Sequence, residues 1–119
     1  MIVAGLGFRR GCTAEQIVQL VRTAQAQAGL RAASLAAPDW KCHEPGLHAA
    51  AAQLGLPLAR IEAAALAAVQ PRCPTRSVVA LRETGLASVA EGAALAASGG
   101  RLLLARIAKG GVTCALAGP

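Results

Sequence analysis

The sequence predicts an α/β domain in which helices cover both faces of a mostly parallel sheet that ends in a C-terminal β-hairpin. Short apolar runs that suit buried strands alternate with segments of helical periodicity, and this alternation is typical of a parallel sheet. Two apolar runs joined by a Gly-Gly turn follow near the end, which is the pattern of a hairpin. A length of 119 residues fits one domain over residues 1–119.

The front of the chain predicts a strand, a turn and a helix. Residues 1–5 form an apolar run, and the glycine-rich segment 5–11, predicted to be the turn, carries two arginines. A capping box of Thr13 and Gln16 then starts a helix that Gly29 ends. Such a turn directs backbone N–H groups and guanidinium charge at one spot, so it fits an anion. A tight bend with solvated arginines fits the same residues equally well.

The remaining elements follow from periodicity and from helix and turn signals. In chain order they are a strand over 31–37, a polar loop over 38–44, a helix over 47–54 between Pro45 and Gly55, a strand over 56–61, a helical turn or two over 62–69, a strand or short helix over 76–82, a helix over 88–97 begun by a second capping box of Ser88 and Glu91, and hairpin strands over 101–107 and 112–117. Ligands gather at the carboxyl ends of the strands of such sheets. We therefore expect segment 5–11, loop 38–45 and the loop before Ser88 to meet there.

Charge and composition exclude several classes of protein. The net charge is +6 and ten of the twelve basic residues are arginine, which favours bidentate contacts with carboxylate or phosphate. The arginines are scattered, and only Phe8 and Trp40 are available for base stacking, so nucleic acid is not an expected partner. No apolar run reaches the roughly 18 residues that a membrane span needs, so no membrane association is expected.

The cysteines indicate a reduced protein. Cys12, Cys42, Cys73 and Cys114 stand far apart and form no C-x-x-C pair, which fits neither a zinc site nor the disulfide framework of a small secreted domain. Cys42 and His43 are adjacent and make poor partners in a tetrahedral site. We therefore expect free thiols, a cytoplasmic location, and neither a metal nor a cofactor.

The glycines of segment 5–11 do not form a nucleotide-binding motif. Gly5, Gly7 and Gly11 are spaced one residue wider than the dinucleotide fingerprint, and no acid follows about twenty residues later. A P-loop is excluded because no Gly-Lys-Ser or Gly-Lys-Thr follows.

A few ionisable groups in the loops are candidates for chemistry. Lys41 is placed to hold a carboxylate or to act as an acid, and Glu44 either acts as a base or caps the helix that follows. Glu91 fits the N3 position of a capping box, which is a structural alternative to a catalytic role. Lys109 and Thr113 flank the hairpin turn, where they either meet solvent or face one shared crevice.

Four segments, in this order and spacing, resemble the CobE family of cobalamin biosynthesis, which is similar to the C-terminal domain of the cobalt-precorrin hydrolase CbiG. The matching segments are residues 5–11 with Thr13 and Glu15, Lys41 with residues 44–47, residues 85–95, and residues 109–117. The resemblance covers nearly the whole chain. Two positions depart from the family's pattern, because His43 stands where an acid is usual and Phe8 where a smaller residue is usual.

The resemblance implies a compact α/β domain that acts in corrin-ring synthesis. Full-length CbiG proteins are credited with opening a lactone on the macrocycle and releasing a two-carbon fragment as acetaldehyde, whereas CobE-like chains have only the C-terminal domain. The implied partner is a polycarboxylated precorrin-type tetrapyrrole, either hydrolysed or carried. The alternative is a non-catalytic interaction module that docks to another cobalamin-pathway enzyme. For a catalytic protein the expected base is Glu44 or Glu91, with Lys41 or Lys109 stabilising developing oxyanion charge. The expected ligand-binding residues are Gly5, Gly7, Phe8, Arg9, Arg10, Gly11, Thr13, Lys41, Ser88, Lys109 and Thr113.

Overall fold

The computed structural model of the chain contains one five-stranded mixed sheet with helices on both faces, and it describes residues 1–119 with the exception of the Glu83 side chain. The strands are β1 (Val3–Phe8), β2 (Ser34–Pro38), β3 (Leu58–Ile61), β4 (Arg101–Lys109) and β5 (Val112–Gly118). The α-helices are α1 (Ala14–Ala28), α2 (Pro45–Leu54), α3 (Ala63–Val69), α4 (Val78–Thr84) and α5 (Val89–Ser98).

The strands lie in the order β3-β2-β1-β5-β4. Strands β1, β2 and β3 pair in parallel, while β5 is antiparallel to both of its neighbours. All the strands except β5 therefore run in one direction, which confirms the predicted fold class. The antiparallel strand lies inside the sheet, between β1 and β4, and not at its edge.

Helix and turn signals in the sequence fix most of the element ends. The capping box of Thr13 and Gln16 is present in both directions at the start of α1. Gly29 and Gly55 end α1 and α2 in the left-handed conformation that glycine adopts without strain. Gly110 and Gly111 both have positive φ, which is what a two-residue hairpin turn requires. The predicted helices and the predicted hairpin are confirmed at these positions.

The ambiguous segment 76–82 is helical. Ser77 is the N-cap of α4, and its hydroxyl accepts a hydrogen bond from the Ala80 N–H at 3.1 Å. The strand alternative is therefore wrong, because a serine cap outweighs the β-propensity of the two valines that follow it.

The predicted glycine turn over 5–11 is wrong in its extent. Strand β1 continues through Gly5 and Gly7, which stand opposite Ala115 and Thr113 of β5. The turn itself begins only at Arg9, whose carbonyl accepts the Cys12 N–H at 3.2 Å. The first two glycines are thus part of the sheet and do not form an anion-binding loop.

The side chains of β1 alternate between two helical layers. Ala4, Leu6 and Phe8 belong to the core that the sheet shares with α1 and α2. Val3 points to the opposite face, where α3 and α5 pack. Helices therefore cover both faces, as predicted, and β1 is buried along its whole length.

Helix α5 packs with its main chain almost directly on β1. A Cβ atom at Gly5 would lie 2.1 Å from the Ala90 carbonyl oxygen and 2.5 Å from the Ala94 nitrogen. At Gly7 it would lie 2.6 Å from the Thr113 hydroxyl oxygen. Glycine is needed at position 5 because main-chain atoms of α5 leave no room for a side chain, whereas at position 7 the Thr113 side chain would have to move.

Replacing Gly5 with alanine is expected to destabilise the fold severely. The added methyl overlaps main-chain atoms of α5, so the helix must move off the sheet, at a cost of about 3 kcal/mol or more. Gly29→Ala is the control, because its φ of 67° is strained for alanine but no atom lies within 4 Å. It should cost only about 1 kcal/mol. Urea unfolding measures both, and equal losses would contradict the packing argument.

Candidate functional site

A cavity of about 590 Å³ opens at the carboxyl ends of β1 and β2. Its walls come from the turn at Arg9 and Arg10, from the segment Pro38 to Lys41, and from the stretch between Ser77 and Val89. These are the segments that the sequence predicts to meet at this edge of the sheet, and their meeting is confirmed. The hairpin completes the enclosure by contributing residues from β4, its turn and β5.

Four basic side chains line the cavity, and among the side chains that the structure describes no acidic one does. They are Arg9, Arg10, Lys41 and Arg106. The Arg9 N–H donates to the Gly111 carbonyl at 3.1 Å, which fixes the turn against the hairpin. The Lys41 ammonium lies 5.6 Å from the centre of the Phe8 ring, within the range of a cation–π contact. The cavity therefore has a positive potential that attracts anions.

Apolar surface lies between these cations. Phe8 and Val89 contribute buried or half-buried carbon, while Trp40 is 37% exposed and Val79 is 61% exposed. Large apolar side chains left open to water beside a cavity are typical of a surface that contacts a ligand or partner. The lining thus combines apolar contact area with charge, which suits a ligand that has both properties.

The hydroxyl-bearing residues Ser77, Thr84 and Thr113 complete the lining. The Ser77 hydroxyl accepts the Ala80 N–H at the start of α4. The Thr113 hydroxyl donates to the Gly7 carbonyl at 3.2 Å. The Thr84 hydroxyl donates to the Ala80 carbonyl at 2.7 Å and accepts the Leu86 N–H at 3.1 Å. These bonds hold the two ends of α4 and the end of β1 in place, so these hydroxyls act mainly on the shape of the cavity.

Glu91 lies behind this cavity and is fully buried. Its Oε1 accepts the Thr75 N–H at 2.9 Å and the Ser88 hydroxyl at 2.8 Å. Its Oε2 accepts the Thr75 hydroxyl at 2.8 Å and the Arg106 N–H at 3.0 Å. Each oxygen thus receives one main-chain N–H and one hydroxyl. The carboxylate joins the loop before α4, the start of α5 and strand β4.

The Glu91 carboxylate is held in its ionised form. Burial raises the pKa of Glu91. The hydrogen bonds that the carboxylate accepts lower the pKa by a larger amount, and the bond from the Arg106 N–H contributes most to this lowering. The pKa therefore lies below its ordinary value of 4.5. A low pKa together with four donors makes the carboxylate a weak base.

The second predicted capping box is wrong. Ser88 occupies the N-cap of α5, but its side chain makes no capping hydrogen bond to the helix. The hydroxyl donates to the Glu91 carboxylate, which is a strong acceptor because it is ionised. The Ser88 N–H, which a capping box would direct at Glu91, donates to Gln70 Oε1 at 3.0 Å. The spacing predicts that the two residues are close, but their contact joins the two side chains.

Some of the other predicted site residues lie away from the cavity. Glu44 is the N-cap of α2 and makes no side-chain capping bond. Thr13 caps α1. Lys109 lines a separate groove of about 180 Å³ with Gln16 and Gln19, so the structure does not bring it together with Thr113. Of the predicted ligand-binding residues, the structure brings six together around the cavity: Gly7, Phe8, Arg9, Arg10, Lys41 and Thr113.

Several residues that line the cavity are not among the site residues predicted from the sequence. Arg106 interrupts the apolar run of β4, and a charge inside a strand pattern is a signal that could have marked it. Trp40 directly precedes Lys41, and a lone tryptophan in a polar loop is a comparable signal. No local signal points to Val79 or Ala80, because their role depends on where α4 packs.

Two features are absent from the part of the chain that the structure describes. Within the part of the chain that the structure describes, no cluster of three or more His, Cys, Asp or Glu residues is arranged to hold a metal ion. Among the described helices, none has the length and apolar character that crossing a membrane requires.

Comparison with known proteins identifies the class. The family described as "Cobalamin synthesis G C-terminus" matches residues 2–117. Protein CobE of Sinorhizobium sp is 37% identical over 123 residues, which cover 99% of this chain and 80% of that protein. The chain belongs to this family and is a protein of cobalamin biosynthesis. The resemblance found in the sequence is confirmed.

Two solved structures share the fold. The crystal structure of CobE, a protein from the cobalamin (vitamin B12) biosynthetic pathway, matches with a TM-score of 0.91 and 40% identity, covering 98% of this chain and 89% of that chain. The crystal structure of cobalamin biosynthesis protein chiG from Agrobacterium tumefaciens matches with a TM-score of 0.81 and 38% identity, covering 99% and 98%. At these identities the likeness extends to the sequence as well as to the fold.

The contribution of Glu91 to stability should depend on pH. Because its pKa is lower in the folded state, its contribution is complete above the ordinary value of 4.5 and is lost as the pH falls through the folded-state pKa. We expect Glu91→Gln to lower the free energy of unfolding by about 2 kcal/mol at neutral pH, and by progressively less in acid. Urea titrations across this range measure the difference. Glu15→Gln, on the exposed side of α1, is the control, and a difference at position 91 that stays constant with pH would contradict the assignment.

Proposed function

We propose that this protein binds a polycarboxylated, precorrin-type tetrapyrrole in the cavity at the carboxyl ends of β1 and β2. Precorrins are flat, apolar in the ring and edged by several carboxylates. The observation that supports the proposal is the lining, in which four cations surround apolar surface and no described side chain is acidic. Membership of a cobalamin-synthesis family supports the same class of ligand.

The arrangement of the cations favours a ligand with carboxylates on several edges. Arg9 and Arg10 stand at the end of β1, Lys41 follows β2, and Arg106 comes from β4. Charges on three separate walls match groups spread around a ring better than one compact anion. The volume of about 590 Å³ lies within the usual range of small-molecule sites, roughly 300–1,000 Å³.

The geometry supports binding and carriage of the ligand more than hydrolysis within this chain. A general base must come within hydrogen-bond reach of the proton that it removes. Glu44 does not line the cavity, and the oxygens of Glu91 are occupied by four donors. Lys41 is the better placed of the two lysines to meet a developing oxyanion, because Lys109 lies in another groove.

A second candidate function is docking to another enzyme of the pathway. Val78 and Leu81 of α4 are 69% and 50% exposed and do not line the cavity, although α4 forms one of its walls. Exposed apolar side chains at this place favour a contact with a protein that delivers or receives the ligand. Free thiols at the four cysteines support a cytoplasmic location for such an exchange.

Binding is tested by titrating the protein with a stable corrin that carries free carboxylates and following its absorption band. Arg9→Gln and Arg10→Gln should each weaken binding about tenfold, since each removes a charged hydrogen-bond donor from the cavity. Arg22→Gln, which makes the same charge change on the exposed surface of α1, should leave the affinity unchanged. The same ring with its carboxylates converted to amides should bind much more weakly. An absent response at tens of micromolar, or an equal loss in Arg22→Gln, would count against the proposal.

The carriage proposal makes a separate prediction for Glu44. Because this side chain lies outside the cavity, Glu44→Gln should leave the corrin affinity within about twofold of the wild type, a difference of less than 0.5 kcal/mol. The same variant tests for chemistry by mass spectrometry of the ligand after incubation. Wild-type protein that alters the ligand mass while Glu44→Gln does not would show that the chain is an enzyme with Glu44 as a base.

A further inference from the structure

The buried carboxylate of Glu91 joins three walls of the cavity without lining it. Thr75 lies two residues before Ser77, and Ser88 lies between Ala87 and Val89, all three neighbours being lining residues. Arg106 donates its main-chain N–H to the same carboxylate and is itself one of the residues that line the cavity.

The pairing of β4 explains how this contact forms. The register between β4 and β5 shifts between Leu104 and Ile107, where three steps along β4 correspond to two along β5. Arg106 falls inside this irregularity, and its N–H donates to Glu91. A bulge of this kind re-aims a side chain at the edge of a sheet. The position of Arg106 in the wall of the cavity is therefore linked to the carboxylate behind it.

The pattern of donors requires a carboxylate and not an amide. The Thr75 N–H donates to Oε1 and the Arg106 N–H donates to Oε2. The two hydroxyls can rotate, but a main-chain N–H cannot become an acceptor. A glutamine at position 91 can accept only one of the two N–H groups, since its NH₂ group faces the other in either orientation. One wall must then separate from α5.

We propose that Glu91 is a positioning residue for the ligand site, whose ionised carboxylate ties Arg106 and the loop before α4 to α5 so that the cavity is held in its binding shape. The ligand role rests on the proposed function, whereas the link between the walls does not. Glu91 then affects the affinity for a polycarboxylated ligand without touching it.

The experiment compares wild type, Glu91→Gln and the control Thr23→Val, because Thr23 is exposed and its hydroxyl donates only to the Gln19 carbonyl within α1. Amide hydrogen exchange is followed by NMR at Thr75, at Arg106 and in β1 as an internal reference. Corrin affinity is measured at a temperature where every variant is folded. We expect Glu91→Gln to increase exchange at Thr75 or Arg106 by about tenfold or more relative to β1, and to weaken corrin binding about tenfold. Thr23→Val should change neither measurement.

Three results would overturn the proposal. Unchanged exchange at both amides would show that the carboxylate does not hold the walls. An equal increase in β1 would indicate a general loss of stability and no positioning role. Increased local exchange with unchanged affinity would separate the walls from ligand binding.

Two further outcomes, a wild-type protein that binds no corrin and a Glu91→Gln variant that does not fold, are interpreted separately. If wild-type protein binds no corrin, the proposed ligand is wrong, and the exchange data alone decide whether Glu91 holds the walls. If Glu91→Gln does not fold, Thr75→Val and Ser88→Ala each remove a single hydroxyl donor to the carboxylate. The same two measurements on them then decide the question.

Discussion

The close approach of α5 to β1 at Gly5 is the constraint on which the rest of the structure depends. Without a side chain at this position, the main chains of helix and strand lie near enough for Ala90 and Ala94 to rest directly on the sheet. This packing sets the depth at which α5 lies. It thereby brings the Glu91 carboxylate within hydrogen-bond distance of β4 and of the loop before α4.

Negative charge lies in the interior of the protein, at Glu91, whereas positive charge lies around the cavity. The buried negative charge of Glu91 is neutralised by dipoles of the main chain and hydroxyls and not by a cation, so the arginines nearby are left available. Arg106 shows this division most clearly, because its main-chain N–H donates to the buried carboxylate and the residue also lines the cavity. The same residue therefore belongs to both the framework and the site.

The sequence predicts those structural features that depend on interactions between residues close together in the chain. Helix ends with glycine or a reciprocal cap, such as those at Thr13 and Gly55, are predictable because their signals lie within a few residues. The role of Gly5 is not, since it depends on a helix more than eighty residues away in the chain. The hydrogen-bonding role of Glu91 is predicted wrongly for a similar reason. Its spacing from Ser88 predicts a cap, but three of its four donors belong to Thr75 and Arg106, which no local pattern connects.

The candidate site also has parts that the sequence predicts and parts that it does not. Arg9, Arg10, Lys41 and Thr113 follow predicted strands or turns, so the edge of the sheet where they meet can be inferred from topology. The wall that α4 provides cannot be inferred in this way, because α4 is short and its own sequence fits two structures. Membership of the family fixes the pathway, whereas the residues that carry a ligand have to be read from the walls of the cavity.

The internal position of β5 in the sheet affects how the chain folds during its synthesis on the ribosome. Strand β1 is made first, but one of its two neighbours in the sheet is β5, with Val3 paired to Ala117. While the chain is being synthesised, β1, β2 and β3 can pair, but the sheet remains open on the β1 side until Val112–Gly118 has emerged. Between the synthesis of β1 and that of β5, the nascent chain therefore presents an exposed, apolar strand edge. Contacts between such distant parts of the chain also make the final folding step slow relative to helix formation.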